Sequence, residues 1–179
     1  MASCAYAQVA TDTLFASSVL ETTGWIDEPE AEGDPSCSSC NCGTGGLFAY
    51  NNDTTDRTWL EANLDNVDTS RIPANYLITS FRVDVMGRYD SGTVGEFEMQ
   101  YFQPPFNVWF GPDGGTGVYN SLNFTSGINC EYRWGIGGVE VLLPGEAVEI
   151  ADVNAMKVRV RRGNGATDCG TMRVKAFRV

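Results

Sequence analysis

Apolar and polar residues alternate with a period of two over much of this chain. The clearest run is 76 to 89, where Leu77, Phe81, Val83 and Val85 share one side and Arg82, Asp84 and Arg88 the other. Such alternation marks a strand with one buried and one solvated face. Ile72-Pro73 sets a turn before the run, and Asp90-Ser91-Gly92 closes it. The pattern returns from Val94 to Phe102, with Phe97, Met99 and Tyr101 inward and Glu96, Glu98 and Gln100 outward. These two runs are expected to pair as an antiparallel hairpin. Near the end of the chain Met156, Val158 and Val160 alternate with Lys157, Arg159 and Arg161, and Met172, Val174 and Ala176 alternate with Arg173 and Lys175, which predicts a final hairpin.

Shorter strands are expected at Leu47 to Tyr50, Thr58 to Leu64, Val108 to Phe110, Val118 to Phe124, Cys130 to Gly135 and Val139 to Leu143. The first twenty residues, with Leu14, Phe15, Val19 and Leu20, read as a first strand or as an arm that docks on a neighbour. Asp27 to Pro35 is acidic and broken by proline, so it reads as an exposed loop, continuing to Gly46. Only Ala151 to Ala155 has a helical look, as a single turn capped by Asp152. Roughly nine short strands, with turn signals about every eight to twelve residues, predict an all-β fold. The expected architecture is an antiparallel β-sandwich, jelly-roll-like, forming one domain over residues 1–179. Residues 1–46 make an N-terminal arm plus an acidic, cysteine-containing loop.

Composition narrows the chemistry. The chain has no histidine, so Ser-His-Asp and Cys-His nucleophilic systems cannot be built and the commonest zinc ligand is missing. Its net charge of −11 is concentrated at one end: residues 1 to 70 hold 12 acidic side chains against Arg57, whereas residues 71 to 179 balance 11 against 11. Late in the chain Lys157, Arg159, Arg161, Arg162, Arg173, Lys175 and Arg178 face only Asp168. The two regions are either solvated faces or attract each other, within a chain or between subunits. The overall negative charge argues against a nucleic-acid partner. No apolar run reaches the length of about eighteen residues that spans a bilayer, and Met1 to Ala16 lacks the pattern of a signal peptide, so no membrane partner is expected.

Glu96, Glu98, Glu140 and Asp84 lie on predicted strands, and Glu96 and Glu98 share a face at a spacing that carboxylate-pair hydrolysis can use. Alternating Glu with Phe, Met and Tyr is also how any solvent-facing strand looks, and no catalysis is expected there. Cys37-Ser38-Ser39-Cys40-Asn41-Cys42 admits three readings: a thiolate half-site for Zn²⁺ or Cu⁺, disulfides to Cys4, Cys130, Cys169 or a neighbouring subunit, or free thiols. The glycine-rich stretches at 43 to 46 and 111 to 117 lack the Lys-Ser/Thr ending and following helix of a phosphate cradle. Trp25, Trp59, Trp109 and Trp134 are candidate core residues or sugar-stacking platforms, with Trp109, Tyr119 and Trp134 the candidates for glycan contact. No catalytic, cofactor-binding or metal-ligating residue is assigned, and no cofactor is expected.

Two segments carry a resemblance. Ile72-Pro73-Ala74-Asn75-Tyr76-Leu77-Ile78-Thr79-Ser80-Phe81-Arg82-Val83-Asp84-Val85 is similar to an "IP" turn and strand found in β-sandwich domains of tailed-phage structural proteins. Gly137-Gly138, Leu143-Pro144, Asp152-Val153-Asn154 and Met156-Lys157-Val158-Arg159-Val160 resemble a later part of the same pattern. Ser80 stands where that pattern has Gly, and the acidic cysteine-containing insert has no counterpart in it. The resemblance implies a non-enzymatic virion structural protein, a capsid decoration or cement protein on the outer surface of a bacteriophage head. Its implied partners are the major capsid protein and further copies of itself in a homo-oligomer. The alternative is a carbohydrate-binding module or adhesin, tail-associated or extracellular, with a glycan as partner.

Overall fold

The computed structural model describes residues 12–20, 23–32, 49–53, 55, 57–73, 76–78, 80–90, 95–104, 107–111, 120–124, 133–134, 140–142, 148–163 and 170–179. In chain order the strands are β1 (Ala16–Leu20), β2 (Ala49–Asn51), β3 (Leu60–Leu64), β4 (Leu77–Ile78), β5 (Ser80–Arg82), β6 (Asp84–Tyr89) and β7 (Gly95–Gln103). They continue with β8 (Val108–Phe110), β9 (Asn120–Phe124), β10 (Arg133–Trp134), β11 (Glu140–Leu142), β12 (Val148–Glu149), β13 (Lys157–Arg162) and β14 (Met172–Arg178). A 3₁₀ turn at Glu28–Ala31 and one short helix, α1 (Ile150–Asn154), complete the elements.

Every strand pairing is antiparallel. A six-stranded sheet runs β1-β3-β13-β7-β8, with β9 also on β7. A four-stranded sheet runs β10-β6-β14-β2. The molecule is therefore an all-β antiparallel sandwich; the strand orders do not by themselves single out a jelly roll among sandwiches. The nine-residue β7 is the hub of the larger sheet. It pairs with β13 along one side, and along the other with β9 through Gly95 to Met99 and then with β8 through Tyr101 to Gln103.

The run from 76 to 89 behaves differently from the single strand its alternation suggests. It forms three consecutive segments with three sets of partners: β4 pairs with β12, β5 with β11, and β6 with β14 and β10. Its polar side is also not solvated. Arg82 is exposed, but Asp84 is 0% and Arg88 8% exposed, and all six residues of β6 are buried. A strand covered on both faces carries its charges only if they find partners. Asp84 pairs with Arg178 and Arg88 with Asp90.

Neither expected hairpin forms. β6 and β7 lie in opposite sheets, as do β13 and β14. The runs that should sit side by side instead face each other across the core. The Tyr89 and Phe97 rings meet edge to face with centroids 5.1 Å apart, and Phe81 and Tyr101 at 4.9 Å. Alternation records only which face of a strand is apolar, and a lateral neighbour and a facing one satisfy it equally. The close approach has a further condition at Gly87. A Cβ there would fall inside contact distance of the Phe97 ring and the Arg173 carbonyl, so glycine is what lets the aromatic sit against β6.

The inward residues of the alternating runs are as expected. Phe97, Met99 and Tyr101, Val158 and Val160, and Met172 and Val174 are buried in one core with Leu60, Ala62 and Leu64. A register irregularity between Val174 and Ala176 then re-phases β14, so that Ala176 and Phe177 are both buried. Of the two readings of the first twenty residues, the described part takes the first. β1 pairs with β3, and the Leu14 and Val179 backbones exchange hydrogen bonds of 2.8 and 2.9 Å. Its outer edge is closed at one point, where the Val19 N–H donates to Glu32 Oε1 at 2.9 Å.

The described part of the acidic stretch after Trp25, through Glu32, is more ordered than a loop, and residues 33–46 of the expected loop lie outside the described residues. Ile26 and Tyr50 exchange two backbone hydrogen bonds of 3.0 Å, Asp27 takes a left-handed φ of 55°, and the 3₁₀ turn that follows buries Ala31 completely. At α1 the N-cap position is taken by Glu149, which makes no side-chain capping bond, and Asp152 lies inside the first turn rather than at the cap. Asn154 there accepts the Val67 N–H at 2.7 Å and ties the turn to the segment that follows β3. Among the described residues no helix is long and apolar enough to cross a membrane.

Candidate functional site

The outward side of the six-stranded sheet collects most of the chemistry that the core leaves over. Register places the side chains in rows. Arg159 lies opposite Glu61 on β3 and Gln100 on β7, while Arg161 lies opposite Glu98. Trp109 on β8 lies opposite Phe102, their ring centroids 5.4 Å apart. Trp59 stands one residue before β3, beside the same row. Because alternate residues of antiparallel neighbours share a face, these positions meet without any bend in the sheet.

The result is a ladder of guanidinium groups and indole rings. The Arg159 guanidinium carbon lies 3.8 Å from the centroid of the Trp109 ring and 4.4 Å from that of Trp59. Arg161 lies 4.2 Å from the Trp59 ring. Indole is the strongest of the aromatic partners for a cation, and Arg also stacks on it by its flat shape. The Arg159 Nε and Nη2 both donate to Gln100 Oε1, at 2.9 and 2.5 Å. Burial lowers the Arg159 guanidinium to about 10, Glu61 opposing and Arg161 adding to the shift, which leaves it a cation at neutral pH.

Glu98 anchors the other end. Its carboxylate accepts from Arg57 Nη2 at 2.5 and 2.6 Å and from Arg161 Nε at 2.7 Å, with the side chain only 3% exposed. Two guanidiniums on one buried carboxylate supply the charge-assisted bonds that its burial requires. Both of its oxygens accept from guanidinium. Lys157 and Glu61 add a more exposed pair at 3.1 Å.

Glu98, Gln100, Arg159, Arg161 and Trp109 thus come together, although the sequence offers Glu98 as an outward solvated residue and Trp109 only as a core or glycan candidate. Trp59 joins them, while Trp25 is a core residue whose Nε1–H donates to the Thr58 carbonyl at 3.0 Å. Asp84 stands apart from this ladder. It is buried with Arg178 Nη2 at 2.9 Å and Arg82 Nη2 at 3.8 Å. Burial pushes its carboxyl up from the ordinary value, against the opposing pull of Arg178, the Val85 amide and Arg82. The backbones of Glu96, Trp134 and Glu140 lie on β7, β10 and β11, but their side chains are outside the described set. Tyr119, Gly137, Gly138, Leu143, Pro144 and all six cysteines, with every reading of Cys37, Cys40 and Cys42, lie outside the described residues. Among the described residues no group of three or more His, Cys, Asp or Glu side chains is arranged to hold a metal ion.

The acidic first third and the basic late strands meet less than their charges suggest. Glu61 with Lys157 is an ion pair of that kind. Three of the other late cations turn to the middle of the chain: Arg161 to Glu98, Arg173 to Asp90, and Arg178 to Asp84.

Fold and face together define an all-β antiparallel sandwich with an arginine–tryptophan ladder on the outer side of its larger sheet. Comparison with models of known protein families, with curated proteins and with solved structures finds no match to this chain.

Proposed function

We propose that this chain is a non-enzymatic structural protein that works by docking on other proteins, as a capsid decoration or cement protein on the outer surface of a tailed-phage head. The observation that carries the docking part is the ladder itself. Trp and Arg are the side chains that dominate binding energy when an interface covers them, and here Trp59, Trp109 and Arg159 are half-buried and held in place by one another. Such anchors lose little side-chain entropy on binding. The resemblance of residues 72–85 and 137–160 to phage sandwiches supplies the identity of the partner, the major capsid protein, alongside further copies of this chain. Electron microscopy of the native assembly tests the reading. A lattice of capsid subunits coated by this chain is the expected result, and a bare lattice with the chain left in solution would overturn it.

A second reading is a carbohydrate-binding module or adhesin, favoured by the partial exposure of Trp109. Against it, one side of the Trp59 and Trp109 rings is already covered by guanidinium, which leaves less ring surface for a sugar. Binding on a glycan array that disappears in Trp109→Ala would favour this reading over the first.

A further inference from the structure

The cations of the outer face are not equally served. Arg57 and Arg161 share Glu98, and Lys157 has Glu61. Arg159 forms no ion pair among the described residues. Its polar partner is the neutral amide of Gln100, and that amide takes only Nε and Nη2. A guanidinium has five donor hydrogens in a rigid fork, so the Nη1 edge of Arg159 is left to bond something else. The two indoles fix the plane of the group and shield it from water, conditions under which a bound carboxylate gains most. Among the described side chains this face carries Arg57, Lys157, Arg159 and Arg161 against Glu61 and Glu98, a surplus of positive charge on a molecule of net charge −11.

The complementary surface is also present. Asp27, Glu28 and Glu30 form no ion pair among the described residues, and Asp27 is exposed. They sit on backbone that is held firmly: the Ile26–Tyr50 bridge precedes them, Pro29 stiffens the turn, and Ala31 plugs into the core. That turn packs against β1, β2 and β14, whereas the polar and charged neighbours of Arg159 are Gln100, Glu61 and Arg161. Among the described residues the attraction between the acidic first third and the basic strands is thus met within one molecule at Glu61–Lys157 but not at this turn.

We propose that the Trp59–Arg159–Trp109 stack is a carboxylate receptor, and that its occupant is the acidic turn at Asp27 to Glu30 of a second copy of this chain. The contact is head to tail, because donor and receptor are different surfaces, and repeating it builds a ring or an open row of copies. The inference deepens the assembly reading above and rests on it for biological meaning, but its physical test is separate.

The test is sedimentation of the purified full chain over a wide range of concentration, in low salt and in about 0.5 M salt. Wild type should associate as concentration rises, and the high salt should weaken the association. Arg159→Gln should weaken it about tenfold or more, and so should the double change Glu28→Gln with Glu30→Gln. Circular dichroism checks the fold of each variant. If Arg159→Gln unfolds, the double change decides, because its residues lie outside the core. A wild-type chain that stays monomeric throughout, or an oligomer that both variants leave unchanged, overturns the proposal. A monomer that still coats capsids would overturn this contact alone, whereas an oligomer that leaves capsids bare would overturn the functional reading and keep the contact.

Discussion

Phe97 and Glu98 are neighbours on β7, and they face two different kinds of order. Phe97 points into the sandwich, where it meets Tyr89 edge to face and rests on the bare backbone of Gly87. Shape decides what fits there. Glu98 points the other way, into a lattice of guanidiniums and indoles in which a carboxylate sits between Arg57 and Arg161. There charge and hydrogen-bond direction decide. The same strand pair, β7 with β13, therefore presents a close-packed side that holds the two sheets together and a polar side whose partners are matched in sign. The inner side closes the fold on itself. The outer side keeps one cation, Arg159, on a neutral partner, and that asymmetry is where a second molecule can act.

The largest loss of stability is expected at the inner face. Phe97→Ala should cost about 4 kcal/mol, from lost burial together with the cavity left between Tyr89 and Gly87. Chemical denaturation should show this loss to the same extent in low and high salt. Glu98→Gln should cost less, about 2 kcal/mol, because it leaves two guanidiniums around a neutral amide while both retain some contact with water. Urea unfolding of the variant measures it, and a cost equal to that of Phe97→Ala would erase the distinction between the two faces.

Asp84, in the smaller sheet, sharpens the contrast in a different way. Glu98 has two short guanidinium partners, whereas Asp84 has one short partner in Arg178, and burial is the largest influence on its carboxyl, raising it above 3.8. The sign follows from linkage: between the unfolded and the raised folded value the native state binds the extra proton, so stability falls as pH rises through that window. Wild type should therefore gain stability relative to Asp84→Asn as the pH is lowered from neutral towards about 4, which thermal unfolding across that range would show. The smallest effect belongs to Lys157→Gln. Its pair with Glu61 is partly exposed, so the loss should stay below about 1 kcal/mol and vanish in high salt.

The periodicity made the core legible almost residue by residue. Phe97, Met99, Tyr101, Val158, Val160, Met172 and Val174 are all inward, as alternation requires. Sheet membership was not legible. β6 with β7, and β13 with β14, look like hairpins in sequence because lateral and facing partners impose the same pattern, and only the competition for hydrogen-bonding edges separates them. Here β7 is already flanked by β13, β9 and β8, and β6 by β14 and β10. The three-way division of residues 77 to 89 was hidden for the same reason, since its partners β12, β11 and β14 come from distant parts of the chain.

The ladder was half visible. Glu98 and Gln100 on one strand and Arg159 and Arg161 on another carry matched chemistry at the same i, i+2 spacing, a signal that the strands pair with those residues opposed. What the sequence could not supply is the position of Trp59 and Trp109, which reach Arg159 only because β3 and β8 lie to either side of the β13–β7 pair. The buried state of Asp84 was hidden too, since an acidic residue on the polar side of an alternating strand reads as solvated.

On the proposed function, the outer face of the six-stranded sheet is the working surface of this protein. Oxidative footprinting of its tryptophans, free and in the native assembly, tests this. Trp25, 5% exposed, should resist oxidation in both states and serve as the internal reference. Trp59 and Trp109 should be modified in the free chain and protected in the assembly. If they are modified equally in both states while other surfaces become protected, the protein docks through some other face and the proposal is wrong.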